Sequence, residues 1–308
     1  MILLWGHPSD GTLASVLRAL TGMGARPVLL DQRGFAGWTL SLEVGAEIAG
    51  FIHAGGVRTD LAKVTALFAR PYDFRGLPAA RSLLNDGEAL RRAAEVDEGL
   101  SAWSDVAVGI VINRPAAMAS NNSKPYQSRI IAPWFEVPEW LLTTDPEAVR
   151  SFQRRHRSIV YKSISGVRSV VSLLDEARAA ELDAIIHCPT QFQRFIEGRD
   201  VRVHVVGDEV FACAIESDAI DYRYDSRAAM RILELGDELA GRCRGLARAL
   251  GLPVAGIDLR RTAQGEWFCF EVNPSPAFSY YESSTGLPIA KAVAQLLAGR
   301  SGQREAAG

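Results

Sequence analysis

Asp258, Glu271 and Asn273 are the residues of this 308-residue chain whose types and spacing most directly suggest chemistry. They lie in "VAGIDLRRTAQGEWFCFEVNP", two alternating apolar runs separated by Gln264 and Gly265, which read as a hairpin with a tight turn. Residues two apart on a strand share a face, so Glu271 and Asn273 point one way while Phe270 and Val272 point to the core. A turn centred on Gln264 and Gly265 sets Asp258 directly across the ladder from Glu271. Like charges there repel and destabilise the sheet unless a cation lies between them. Two carboxylates and an amide oxygen on one spot suit Mg²⁺, which takes one or two carboxylates and leaves its other positions to phosphate and water. Register decides this pairing, because a one-residue error in the turn moves Asp258 to the other face. Without the ion, the same stretch reads as a polar outer face running into a turn at Pro274.

The basic residues add a second set. Four lysines (Lys63, Lys124, Lys162, Lys291) stand against thirty arginines, and a lysine is a common phosphate binder, a compact charge on a flexible stem. Lys162 closes a β-branched run and precedes the small-residue loop "SISGVRS". About thirty residues on comes the extended segment "QFQRFIE". "DVRVHVV" then carries Asp200 and Arg202 on one strand face, and "DYR" supplies Arg223. Two lysines, a small-residue loop, two arginines and an Mg²⁺ cluster are the parts needed to hold a triphosphate and move its γ-phosphoryl group.

These residues need elements to position them. At 48% hydrophobic and 23% charged, the chain has the composition of a globular protein with room for two or three domains. A net charge of -2 gives no electrostatic reason to expect nucleic acid or an anionic membrane. No apolar run approaches a membrane span, and the start "MILLWGHPSDG" lacks a basic signal-peptide region. Cys188, Cys213, Cys243 and Cys269 are too scattered for paired spacing, which fits free thiols in a reducing cytosol better than disulfides or zinc. The five histidines show no triad or metal spacing; His204, in a strand, reads as a packed or hydrogen-bonded core residue, and Trp5, Trp38 and Trp134 read as core.

Residues 1–115 alternate strands ("ILLWG", "RPVLLD", "GWTLSLEV", "VTALFARPY", "VGIVINRP") with helices ("GTLASVLRALTGMG", and "DGEALRRAAEVDEGLSAW" opened by Asp86), implying a mostly parallel sheet. No Gly-x-Gly-x-x-Gly follows the first strand, so a dinucleotide fingerprint is absent. Beyond 116 the pattern predicts a helix near "NNSKPYQSRIIAPW", a helix started by Thr144-Asp145-Pro146, a strand at "SIVYKSI" and a helix over "LLDEARAAEL". It then predicts a strand through "AIIHC", three strands in "TQFQRFIEGRDVRVHVVGDEVFACAIES" with a hairpin at Gly207-Asp208, and a long helix over about 226–250. After the Asp258/Glu271 hairpin, a helix in "LPIAKAVAQLLAG" and a frayed tail close the chain.

In this order the stretches "ALFARPYDF", "SKPYQ", "TDPEAVRSF", "IVYKSIS", "CPTQFQRFIEGRDVRVHVVGDEVFACAIES", "DYR", "GIDLRRTAQGEWFCFEVNP" and "GLPIAKAVAQLLAG" resemble the ATP-grasp superfamily. Within it they resemble the RimK-like peptide ligases, most nearly the microviridin-type (graspetide) maturases. The resemblance covers most of residues 64–299 and thins toward the N-terminus. It implies an α/β chain of ATP-grasp fold: an N-terminal α/β pre-ATP-grasp domain (1–115), then two α+β subdomains that clamp ATP. These are a central one (116–190) with Lys124, Lys162 and the lid loop, and a C-terminal one (191–300) with the Mg²⁺ site, followed by a tail (301–308). Lys124 and Lys162 would contact the ATP phosphates, Gln193, Arg194, Phe195 and Ile196 would form the hinge whose backbone reads adenine, and Glu197 or Asp200 would meet the ribose. Arg202 and Arg223 would neutralise the γ-phosphate and the acyl-phosphate, and Asp258, Glu271 and Asn273 would hold Mg²⁺, with Mn²⁺ as the alternative ion.

The implied activity is ATP-dependent joining of a carboxylate to an amine or hydroxyl through an acyl-phosphate. ATP and a carboxylate-bearing peptide or amino acid are the implied partners, with no nucleic acid and no membrane; the implied location is the cytoplasm, and a homodimer is left open. Two departures matter. The Lys162 loop holds one glycine where many relatives have several. From Ser169 to Ile185 the chain runs through a single helix where the maturases carry a longer hairpin that helps engage a leader peptide. The second departure keeps in play a small-molecule ligase of amino acids or metabolites. The remaining alternative is a nucleotide-binding module without turnover.

Overall fold

The computed structural model describes residues 1–46, 48–83, 85–163, 171–217 and 229–299. Expectations for the Lys162 loop at 164–170, for Arg223 and for the tail at 301–308 lie outside these residues.

The N-terminal region runs β1 (Ile2–Gly6), α1 (Gly11–Gly22), β2 (Val28–Asp31), β3 (Thr39–Val44), β4 (Ile48–Ala54), β5 (Val57–Asp60), β6 (Ala66–Arg70), α2 (Pro78–Ser82), α3 (Gly87–Val106) and β7 (Ile110–Ile112). Strands β2-β1-β6-β7 form the expected parallel sheet. "TLSLEV" does not join it: β3, β4 and β5 make a separate antiparallel sheet, of which the sequence pattern predicts only β3. Gly55 and Gly56 turn β4 into β5 at φ 56° and 78°, a left-handed pair suited to a two-residue hairpin. The small sheet packs against α3, and Trp5, Trp38, Ile52, Leu100 and Trp103 are buried in one core. Asp10 caps α1 by accepting from the Leu13 amide at 2.7 Å, and Asp86 caps α3 at the Ala89 amide.

Asp97 lies half-buried on α3, where burial foremost, and then the nearby Asp73, push its carboxyl up to about 6. An acid harder to ionise in the folded chain costs stability as pH rises from 3.8 through about 6. Asp97→Asn is therefore expected to raise Tm at about pH 7.5 and leave it nearly unchanged at about pH 3.5. Equal effects at the two pH values in a thermal scan would remove this account of Asp97.

The middle region runs α4 (Pro115–Met118), α5 (Lys124–Ile131), β8 (Trp140–Thr143), α6 (Pro146–His156), β9 (Ile159–Ser163), β10 (Ser172–Leu173), α7 (Glu176–Ala180) and β11 (Thr190–Arg194), with an antiparallel sheet in the order β10-β9-β11-β8. Asp145 caps α6 ahead of Pro146, as its sequence predicts. The strand expected through "AIIHC" is instead a 3-10 segment, Leu182–His187. A short apolar run does not by its period distinguish strand from helix. Here Leu182 and Ile185 pack with Phe192 while Ile186 faces solvent.

The C-terminal region runs β12 (Arg199–Val206), β13 (Glu209–Glu216), β14 (Ala229–Ile232), α8 (Asp237–Ala249), β15 (Val254–Arg261), β16 (Trp267–Asn273), α9 (Ser279–Thr285) and α10 (Ile289–Leu297). The five strands form an antiparallel sheet, β14-β13-β12-β15-β16. The helix expected from about 226 starts only at Asp237. Residues 229–232 pair with β13, and Gly236 with Asp237 and Glu238 marks the helix start. One face of the sheet carries α8, with Cys243 and Leu246 against Val203, Val205 and Ile257. α10 packs against α1, joining the C-terminal region to the N-terminal one through Leu13, Val16, Ile289 and Val293. Among the described residues, no helix is long and apolar enough to cross a membrane.

Candidate active site

The β15–β16 hairpin places Asp258 opposite Glu271 and Gly256 opposite Asn273. It does so by two offsetting irregularities. The connection is longer than the expected two-residue turn: Arg261 pairs with Trp267, and the Thr262 amide donates to the Glu266 carbonyl at 3.0 Å. That alone would shift the ladder by one residue, but Phe270 is an extra residue on β16, and this bulge between the Leu259–Cys269 and Asp258–Glu271 pairs restores the register. Phe270 is consequently half-buried, facing the Arg260 guanidinium at 5.1 Å, and is not the core residue that alternation predicted. Cys269 and Val272 fill the core.

The paired carboxylates are not left to repel one another. The Lys124 Nζ donates to Glu271 Oε2 at 3.0 Å and to Asn121 Oδ1 at 3.1 Å, and the Lys162 Nζ reaches the same Glu271 oxygen at 3.4 Å. Arg202 Nη1 donates to Asp258 Oδ1 at 2.6 Å. The Asn273 Oδ1 accepts from the Ser275 amide at 2.9 Å. Lys124 comes from α5, Lys162 from β9 and Arg202 from β12, so three separate elements converge on the hairpin.

Arg202 is only 5% exposed. It crosses above Gly256, where a Cβ would lie 2.2 Å from Arg202 Nη2. Its Nε faces His204 Nε2 at 3.4 Å, and its guanidinium lies over the Tyr281 ring at 5.4 Å. Burial, and after it the charge of Arg202, hold the His204 imidazole well below its usual value. His204 therefore stays neutral and can accept from Arg202, in line with the core role expected of it.

Sequence reasoning missed the residues that pin these elements together. Gln127 of α5 donates to the Val272 carbonyl at 2.9 Å and accepts from the Val272 amide at 3.0 Å, completing the ladder of the edge strand β16 and fixing Lys124 beside Glu271. Asn113 donates to the Val254 and Pro274 carbonyls and accepts from the Val254 amide. Arg70, held by Asp10 at 3.0 and 3.2 Å, donates to Ser275 Oγ and the Pro276 carbonyl, tying the N-terminal sheet to the segment after Asn273. The only local signals were the quoted "SKPYQ" and "ALFARPYDF".

In the segment expected to form the hinge, Gln193 and Arg194 end β11, and Phe195 continues beyond it with its amide donating to the Ser158 carbonyl at 3.0 Å. Ile196 is buried, Glu197 is exposed, and the Arg194 guanidinium stands 5.7 Å from the Phe268 ring. Asp200 is engaged by Arg260 through both oxygens, at 2.7 and 2.8 Å.

Among the described residues no group of three or more His, Cys, Asp or Glu could hold a metal ion. The third donor here is an amide. Two carboxylates and an amide oxygen are hard ligands that fit Mg²⁺, with phosphate and water supplying the rest.

A parallel N-terminal sheet followed by two antiparallel sheets, with lysines from the middle region meeting the acidic hairpin of the last, defines a protein of ATP-grasp fold. Residues 130–297 match the RimK-like ATP-grasp domain, and the chain belongs to that family. It is 35% identical over 144 residues to a probable alpha-L-glutamate ligase of Enterobacter sp. (strain 638), a match covering 43% of this chain and 47% of that protein. It is likewise 35% identical over 147 residues to the ribosomal protein bS6–L-glutamate ligase of Escherichia fergusonii, with the same coverage. The chain spans about half the length of the curated relatives it matches. Among solved structures, the macrocyclase MdnC of Microcystis aeruginosa MRC, bound with precursor peptide MdnA, superposes with a TM-score of 0.83 at 22% identity over 97% of this chain and 99% of that one. The ATP-grasp ligase PsnB, complexed with a variant of its minimal precursor, Mg and ADP, gives 0.81 at 28% identity over 97% and 98%.

Proposed function

We propose that this chain is an ATP-dependent ligase that activates a carboxylate as an acyl-phosphate and joins it to an amine or hydroxyl of a peptide. The observation that carries the reading is the convergence of Lys124, Lys162 and Arg202 on Asp258 and Glu271. The reaction must bring two anions, a carboxylate and a triphosphate, into contact, so fixed cations do most of the work. A substrate carboxylate oxygen attacks the γ-phosphorus, the bond from that phosphorus to the β-bridging oxygen breaks, and ADP departs. The nucleophile then attacks the acyl carbon, losing its proton, and inorganic phosphate leaves. Asp258, Glu271 and Asn273 would hold Mg²⁺, which when bound supplies positive charge to the phosphate oxygens. Lys124 and Lys162 would move from Glu271 to the phosphates, and Arg202 would face the γ-phosphate from the Asp258 side.

Gln193 to Ile196 would read the base. Glu197 or Asp200 would meet the ribose, and the role of Arg223 rests on the resemblance alone. Domain limits at 115, 190 and 300 stay part of this proposal, although β11 (Thr190–Arg194) pairs within the middle sheet, so the change of sheet comes only after Arg194. The buried thiols of Cys213, Cys243 and Cys269 support a cytoplasmic location.

A second reading, addition of a free amino acid, is favoured by the glutamate-ligase relatives. Near full-length superposition on ligases holding precursor peptides supports the first. One experiment separates them: incubate the chain with Mg·ATP and an acidic, Thr-, Ser- or Lys-rich peptide encoded beside it, with and without glutamate, and follow mass and ADP. Loss of one water per ADP released supports ring closure; a gain in mass that requires glutamate supports the second reading. No ADP from any combination sinks both.

Lys162→Ala is expected to weaken ATP binding by roughly 1.5–3 kcal/mol, the value of a charge-assisted phosphate contact. Lys63, 76% exposed beside Asp60, should be silent as Lys63→Ala. Equal ATP affinities for the two variants in calorimetry would end the phosphate assignment.

A further inference from the structure

We infer that Arg260 is a positioning residue of the nucleotide site, fixing its base-and-ribose end through Asp200 and the Ile196 carbonyl. The inference rests on the nucleotide reading above. Arg260 lies two residues beyond Asp258 on β15, so the two side chains leave the same face of the strand. Its Nε and Nη2 take the two oxygens of Asp200 at 2.7 and 2.8 Å, and its Nη1 donates to the Ile196 carbonyl at 2.8 Å. Its guanidinium stands 5.8 Å from the Phe195 ring and 5.1 Å from the Phe270 ring. Both members of the ion pair are largely buried, with side chains 12% and 18% exposed.

One planar group thus meets four parts of the cleft. It holds Asp200, it engages a hinge carbonyl, and it faces the hinge phenyl ring. It also meets Phe270, the bulge residue whose insertion brings Glu271 opposite Asp258. Breaking such a buried pair from one side leaves an uncompensated carboxylate, which is far costlier than losing a surface pair. Lysine cannot replace it, because three in-plane donors to two acceptor groups need the guanidinium fork. Lys124 and Lys162, by contrast, donate to Glu271. Its influence should therefore fall on the nucleoside end of ATP and spare the triphosphate end.

The test compares two probes in calorimetry on the full chain: Mg·ATP, which uses both ends of the cleft, and Mg·tripolyphosphate, which uses only one. Arg260→Met is expected to weaken ATP about tenfold or more, the scale of a lost charge-assisted contact, and to change tripolyphosphate less than about twofold. Arg260→Lys, which keeps the charge in the buried site, should recover only part of the ATP affinity. Because Arg260 acts through Asp200, Arg260→Met combined with Asp200→Asn should bind ATP no more weakly than the weaker single variant. Proportional weakening of both probes, unchanged ATP affinity, or additive losses in the double variant would each overturn the role of Arg260. Should Arg260→Met not fold, Arg260→Lys decides by the same ratio of probes. A wild-type chain that binds neither probe overturns the nucleotide reading itself, an outcome distinct from insensitivity of ATP binding to Arg260.

Discussion

Asp258→Asn and Glu271→Gln should each lower Mg²⁺-dependent ADP formation by about a thousandfold or more, a barrier increase of about 4 kcal/mol. Each change removes one of two carboxylates suited to a hard cation and leaves a neutral amide of nearly the same shape, so the fold should survive. The effect on stability without metal is where the structure alters the expectation. From sequence, two facing carboxylates repel, and removing one should raise Tm. In the folded chain Glu271 is shared by Lys124 and Lys162, and Asp258 pairs with the buried Arg202. Glu271→Gln leaves two ammonium groups facing each other without their common anion, and Asp258→Asn takes the carboxylate from the buried Arg202. Both variants should therefore melt at or below the wild-type temperature in metal-free buffer. Turnover near wild type in either variant would remove the metal site, and a clear rise in Tm would show that repulsion, not pairing, governs the hairpin.

The carboxylate pair was legible because a hairpin is a local object: two alternating runs and a glycine turn lie within one short stretch. Even so, the connection is one residue longer than alternation predicts, and Asp258 faces Glu271 only because Phe270 bulges. A bulge has no period of its own and is invisible to alternation. The missing strands of the N-terminal region show a different limit. "TLSLEV" read correctly as a strand, but nothing in its sequence says which sheet it joins, and Gly55-Gly56 was the turn signal for its partners. The helix expected at 226–250 absorbed a strand, since "AMRI" alternates no less than it fits a helical face. Least legible were Gln127, Asn113, Arg70 and Arg260. Each acts by side-chain bonds to segments tens of residues or more away, so no spacing along the chain marks them.

Gly256→Ala should disable the protein while adding a single methyl group. Gly256 lies on β15, the strand next to the edge of the C-terminal sheet, opposite His204 on one neighbour and Asn273 on the other. A Cβ there would stand 2.2 Å from Arg202 Nη2, 2.7 Å from its Cζ and 2.8 Å from Pro276 Cβ. Arginine side chains usually yield to such a contact. This one is buried, bonded to Asp258 and backed by His204 and Tyr281, so it has nowhere to move without giving up its partners. The proline on the other side belongs to the segment that Arg70 holds. Overpacking of this kind costs about 1–3 kcal/mol of stability. Displacing the guanidinium from the Asp258 side of the cleft should lower ADP formation well over tenfold, about 1.4 kcal/mol or more on the barrier. ATP affinity should fall much less, because Lys124 and Lys162 are held by Glu271, which the added methyl does not touch. Gly241→Ala is the control, a helical position whose nearest neighbour would be Arg244 Nη2 at 3.9 Å, and it should leave turnover unchanged. If Gly256→Ala turns over like wild type, the crossing of Arg202 over this glycine does not set the geometry of the site, and Arg202 loses the fixed aim on which its proposed role at the γ-phosphate depends.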